Sequence, residues 1–111
     1  MANSPSSRPS LRAARARRLR GAILSLLAEQ APERVAADVL LGVLERLHYD
    51  ATARELAAEL EYLRQRGYVH FEQGATCARR PEAARATHIG ITDRGADLVD
   101  GTLTDPGIDL G

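Results

Sequence analysis

Residues 52–73 read TARELAAELEYLRQRGYVHFEQ. Two hydrophobic periods meet inside this stretch, and their junction decides the fold. Thr52 followed three residues later by Glu55 is a capping box, in which each side chain satisfies a free backbone N–H of the other residue. Leu56, Leu60 and Leu63 then recur at helical spacing and form one apolar stripe. Gly67 stands where a left-handed residue closes a helix, just after Arg64 and Arg66 in the last turn. Beyond Gly67 the period drops to two, with Val69 and Phe71 alternating against His70 and Glu72. The stretch predicts a helix that reverses into a strand, laying Val69 and Phe71 onto a helical core.

Working outward, Leu19, Ile23, Leu26 and Leu27 mark a first helix over 10–30, ended by Ala31-Pro32 because proline disfavours a helical residue before it. Val39, Leu40, Val43, Leu44 and Leu47 give a second helix over 36–47 a broad apolar face. The tetrapeptide HYDA at 48–51 makes a short turn into the third helix. Downstream, Ile89 and Ile91 alternate with His88 and Gly90, so 87–91 reads as a second strand, paired with the first as a hairpin. The long connection between the strands carries Arg79, Arg80 and Arg85, with Glu82 among them. Thr92-Asp93 caps a fourth short helix over 93–99, closed by Gly101. Residues 1–10, rich in Ser and Pro, form a disordered arm. Residues 11–100 form the domain, and 101–111 a tail whose Leu103, Ile108 and Leu110 either dock or fray.

Composition sets the outer bounds. The 111 residues suit one domain, and 4% aromatic content leaves aliphatic side chains to fill the core, which favours packed helices. The net charge is zero but divided. Residues 1–20 hold six arginines and no acid, while the rest of the chain holds nine arginines against fifteen acids. Such asymmetry points to an arm for nucleic acid or another acidic partner, or to a solubilising tail that pairs with the acidic body. A single cysteine, Cys77, excludes an internal disulfide framework and suits a reducing interior. No apolar run approaches the roughly 20 residues needed to span a bilayer, and the first residues lack the apolar middle of a secretory signal. The expectation is a cytoplasmic protein away from membranes.

The element order is mainly α with a small β-hairpin: helix, helix, short turn, helix, Gly, strand, loop, strand, helix. That order is a winged helix-turn-helix, with a three-helix core, a wing and a short C-terminal helix. The stretch LEYLRQRGYVHFE and the later HIGITDRGADLV resemble bacterial winged-helix regulators, through Leu60, Leu63, Gly67, Tyr68, Val69, Ile89, Ile91, Thr92 and Gly95. More narrowly, LRGAILSLLAE at 19–29 and ITDRGADLVDGTLTDPGI at 91–108 resemble a family of small, regulator-like proteins of Mu-like phages and prophages. The resemblance runs from about Leu11 to Ile108. It implies a winged-helix fold and a role in regulation.

In such folds the third helix enters the major groove and the wing reaches the backbone. The base-reading candidates are Arg54 and Gln65. Arg79, Arg80 and Arg85 are the wing contacts, and Arg12, Arg15, Arg17 and Arg18 the arm contacts. Glu59 and Glu61 oppose this, because carboxylates on the outer face of the third helix would repel phosphate. If they lie there, a protein-interaction module such as a phage assembly or packaging adaptor becomes the better reading. The expected partners are double-stranded DNA, a second copy of the chain and possible phage proteins. Leu24 and Leu11 lie beyond what one core face of the first helix needs, and the terminal helix is a further pairing surface. His70, Cys77 and His88 match no standard zinc spacing, and nothing orients Cys77 as a nucleophile. Neither a metal, a cofactor nor an enzymatic activity is expected.

Overall fold

The structure is a computed structural model and describes residues 10–73 and 86–111. It is mainly helical, with one two-stranded antiparallel hairpin. The elements run α1 (Leu11–Gln30), α2 (Ala37–Arg46), α3 (Ala53–Gln65), β1 (Val69–Gln73), β2 (Ala86–Ile91) and α4 (Asp93–Asp100). No described helix is long and apolar enough to cross a membrane.

The capping box forms as read. Thr52 Oγ1 accepts from Glu55 N and Glu55 Oε1 accepts from Thr52 N, each at 3.0 Å. Gly67 takes φ +81°. Gly67 N donates to the Arg64 carbonyl and Tyr68 N to the Leu63 carbonyl, at 3.0 and 2.9 Å. This pair is a Schellman closure, and it drops Tyr68 into the core beside Leu63.

The core gathers Leu19, Ile23, Leu24 and Leu27 of α1, Leu40 and Leu44 of α2, and Leu56, Leu60 and Leu63 of α3. Val69, Ile89 and Leu98 close it from the hairpin and α4. Each fully buried leucine contributes about 2 kcal/mol of transfer free energy. Leu24, read above as surplus to the core, is fully buried. With Leu19, Ile23 and Leu27 also buried, α1 is covered over a wider arc than one face.

The hairpin departs from strict alternation. Its register shifts between His70 and Glu72, and His88 opposite has φ +54°. Beside this bulge Phe71 is only half-buried, and Gly90 is buried. The His70 ring lies over Gly90, where a Cβ would sit 2.9 Å from Cε1. His88 is exposed, whereas His70 is half-buried, its ring covering Gly90. Val35, in the link between α1 and α2, exchanges two 2.9 Å hydrogen bonds with Ile89. That single bridge ties the helical half to β2. A lone bridging residue has no periodicity, so the sequence reading had no sign of it.

Residues 101–111 are docked. Gly101 closes α4 at φ +91°, and the chain crosses back over α1 and α3. Asp109 N donates to the Arg17 carbonyl at 3.0 Å, and Ile108 is buried. A methyl at Gly21 would collide with the Asp109 carbonyl, so α1 has a notch where the tail passes.

Candidate nucleic-acid interface

The third helix turns Leu56, Leu60 and Leu63 inward. By helical geometry Arg54, Ala58, Glu61 and Gln65 therefore face away from the core. Arg54, Ala58 and Gln65 are exposed and Glu61 half-exposed. Arg54 makes no ion pair among the described residues, which leaves its guanidinium available.

The two glutamates behave differently. Glu59 faces α1, where its Oε1 accepts from Arg20 Nε at 2.5 Å. The side chains of this pair are only 17% and 13% exposed. Arg20 also donates from Nη1 to the Gly107 carbonyl at 3.0 Å, and its guanidinium lies 3.6 Å from the Tyr62 ring centroid. Glu61 does reach the outer side. There it accepts from both Arg64 Nε and Nη2 and from Gln65 Nε2. The Arg64 hydrogen bonds, with a smaller contribution from Gln65, hold the Glu61 carboxyl below the usual carboxylate range against its slight burial. Among the described residues the outer face thus carries the neutralised carboxylate of Glu61 and the unpaired guanidinium of Arg54. Gln65, a base-reading candidate, spends its amide on Glu61.

The α1 candidates divide as well. Arg12 is exposed and lines a groove with Arg15, Ala16, Glu55, Ala58 and Glu59, beside the outer face of α3. Arg15 is committed to the start of α3, donating to the Asp50 carbonyl and lying 3.4 Å from Glu55 Oε1. The Glu55 carboxyl is lowered by its backbone hydrogen bond from Thr52 and by the Arg15 charge, against a small burial effect. Arg17 is half-buried beneath the docked tail, and Arg18 extends over Tyr49 at 5.7 Å. The structure brings Arg12 and Arg15 to the flank of α3 and directs Arg17 and Arg18 elsewhere around α1. Arg79, Arg80 and Arg85, together with Cys77, lie outside the described residues.

Arg20 and Arg66 are structural cations whose distant partners local pattern did not show. Arg66 lies 4.6 Å from the Tyr62 ring centroid and 3.4 Å from Asp105 Oδ2. The sequence signal for this clasp is slight: one aromatic residue four positions before Arg66, and an Asp-Pro-Gly in the tail. Among the described residues no group of three or more His, Cys, Asp or Glu side chains is placed to hold a metal ion. Comparison of the chain with family models, curated proteins and solved structures returns no match.

Proposed function

We propose that this chain is a cytoplasmic winged-helix DNA-binding protein, a non-enzymatic transcriptional regulator or accessory factor of a phage or prophage. One observation carries the reading. The two carboxylates that would repel DNA from α3 are both accounted for, Glu59 by Arg20 and Glu61 by Arg64. Among the described residues Arg54 is left unpaired on that helix, with Arg12 on its flank. The described residues alone offer few phosphate contacts, so on this reading binding is salt-sensitive and draws on the arginines of the wing, Arg79, Arg80 and Arg85, and on the arginine-rich first residues.

The test is fluorescence anisotropy with random duplex DNA over a salt series. Arg54→Ala and Arg12→Ala are each expected to flatten the slope of log affinity against log salt by about one unit. Absence of binding at low salt would overturn the reading.

A protein-interaction module is the second reading. It is favoured by the engagement of Gln65 with Glu61 and by the small side chains Ala57 and Ala58, which leave α3 few groups for base edges. Under that reading a protein partner is captured, and its binding is lost on Glu61→Lys.

A further inference from the structure

Among the described residues one face of α1 is left partly open, and it carries its own complement. Arg18, Ala22, Ser25 and Glu29 follow one another at steps of four, three and four residues, so they lie along one line of the helix. All four line a single groove, with Leu47 from the end of α2 and Leu110 from the tail also lining it. The groove continues past Arg18 and Tyr49 towards Leu11. Among the described residues the exposed large hydrophobics are Leu11, Val39, Leu47 and Leu110, at 89%, 55%, 50% and 39%. Three of these four border this face. Isolated exposed leucines are ordinary, but three along one groove mark a contact surface.

The charges name the occupant. Read in one direction, the stripe runs basic, small, small, acidic; read backwards it is its own counterpart. Arg18 has no carboxylate within ion-pair distance among the described residues, and its guanidinium rests loosely over Tyr49. Glu29 is exposed and likewise unpaired among the described residues.

We propose that α1 packs antiparallel against α1 of a second copy, about a twofold axis passing between Ala22 and Ser25. Such an isologous contact sets Ala22 against Ser25 of the partner subunit, where small side chains let the helices approach closely. It also places Arg18 against the partner's Glu29, twice by symmetry. The two charges of each stripe are about 16 Å apart along the helix. A parallel arrangement would instead set Arg18 against its own counterpart. Leu47 and Leu110 would flank the helix pair and lose their exposure. This proposal does not depend on the DNA-binding reading.

The test is sedimentation equilibrium of the full chain over a concentration series, with circular dichroism melts to check folding. The wild type is expected to dimerise. Arg18→Glu and Glu29→Arg should each weaken the dimer by about tenfold or more, since each creates two like-charge contacts. The double variant Arg18→Glu/Glu29→Arg restores opposite charges across the axis and should recover most of the affinity. Leu47→Ser, an exposed change on the same face, should weaken association without shifting the melt. A monomer at every concentration would overturn the proposal. So would a dimer indifferent to the single reversals, or single losses that the double variant does not repair.

Discussion

The Tyr68 hydroxyl donates to Asp105 Oδ2 across 2.6 Å, joining the residue that follows the Gly67 closure to the C-terminal tail. Asp105 Oδ1 accepts from Gly107 N at 2.8 Å, and Arg66 approaches the same carboxylate. The Asp105 side chain is only 7% exposed. Removing its charge should therefore leave Tyr68 and Arg66 without their acceptor. Asp105→Ala is expected to cost about 2 kcal/mol, and Tyr68→Phe about 1 kcal/mol, in denaturant titrations.

The same clasp sets a pH window. The hydrogen bond from Tyr68, then that from Gly107 and the charges of Arg66 and Arg20, hold the Asp105 carboxyl below its usual range, against the effect of burial. A carboxyl lowered in the fold contributes stability that is complete above the ordinary aspartate pKa of about 4 and is lost as pH falls through the lowered value. Burial, and next the Asp105 hydrogen bond, raise the Tyr68 hydroxyl. A raised tyrosine contributes stability that is complete below about pH 10 and is lost at higher pH. Melts of the wild type should fall off at both extremes. In Asp105→Asn the acid-side loss should shrink; an unchanged acid limb would place the sensitivity elsewhere.

Arg20 joins α1, α3 and the tail through Glu59, Tyr62 and Gly107. Its pair with Glu59 is largely removed from solvent, so losing one partner leaves an uncompensated charge. Arg20→Ala is expected to cost about 2–4 kcal/mol and Glu59→Gln somewhat less. A double-mutant cycle between positions 20 and 59 should give a coupling of about 1 kcal/mol or more. A coupling near zero would show that the contacts to Tyr62 and Gly107 dominate.

Gly21 gives a prediction of sign. Replacing a glycine by alanine inside an exposed helix normally stabilises it by about 0.5–1 kcal/mol. Here the new methyl would meet the Asp109 carbonyl, so Gly21→Ala should displace the end of the tail and destabilise the protein. Limited proteolysis should cut the variant near residues 105–111 faster than the wild type. Gly42, whose Cβ position is open, is the control: Gly42→Ala should stabilise.

On the DNA-binding reading, Glu61 is a brake. Glu61→Gln would leave Arg64 free on the outer side of α3, next to Arg54. The salt slope of DNA binding should then steepen by up to about one unit. A slope that stays the same would remove α3 from the contact.

How far the sequence determined this protein can be judged at particular residues. Thr52, Glu55 and Gly67 bounded α3 correctly because caps and left-handed closures act over a few neighbouring residues. The leucine stripes located the three core helices for a similar reason, since a helix can bury only the side chains its period aligns. Local pattern failed where the partner is distant in the chain. Nothing near Glu59 distinguishes it from Glu61, yet Arg20, 39 residues away, turns one into a structural ion and leaves the other on the rim. Leu24 looked surplus to one helix face, yet the assembled core buries it fully. The bulge at His70 and His88, which spoiled the alternation of the hairpin, is likewise a matter of pairing between strands. Short-range hydrogen bonding and hydrophobic period are written in consecutive residues. The orientation of each charge, and the docking of the tail, depend on which distant side chain can balance a buried group, and only the assembled fold decides that.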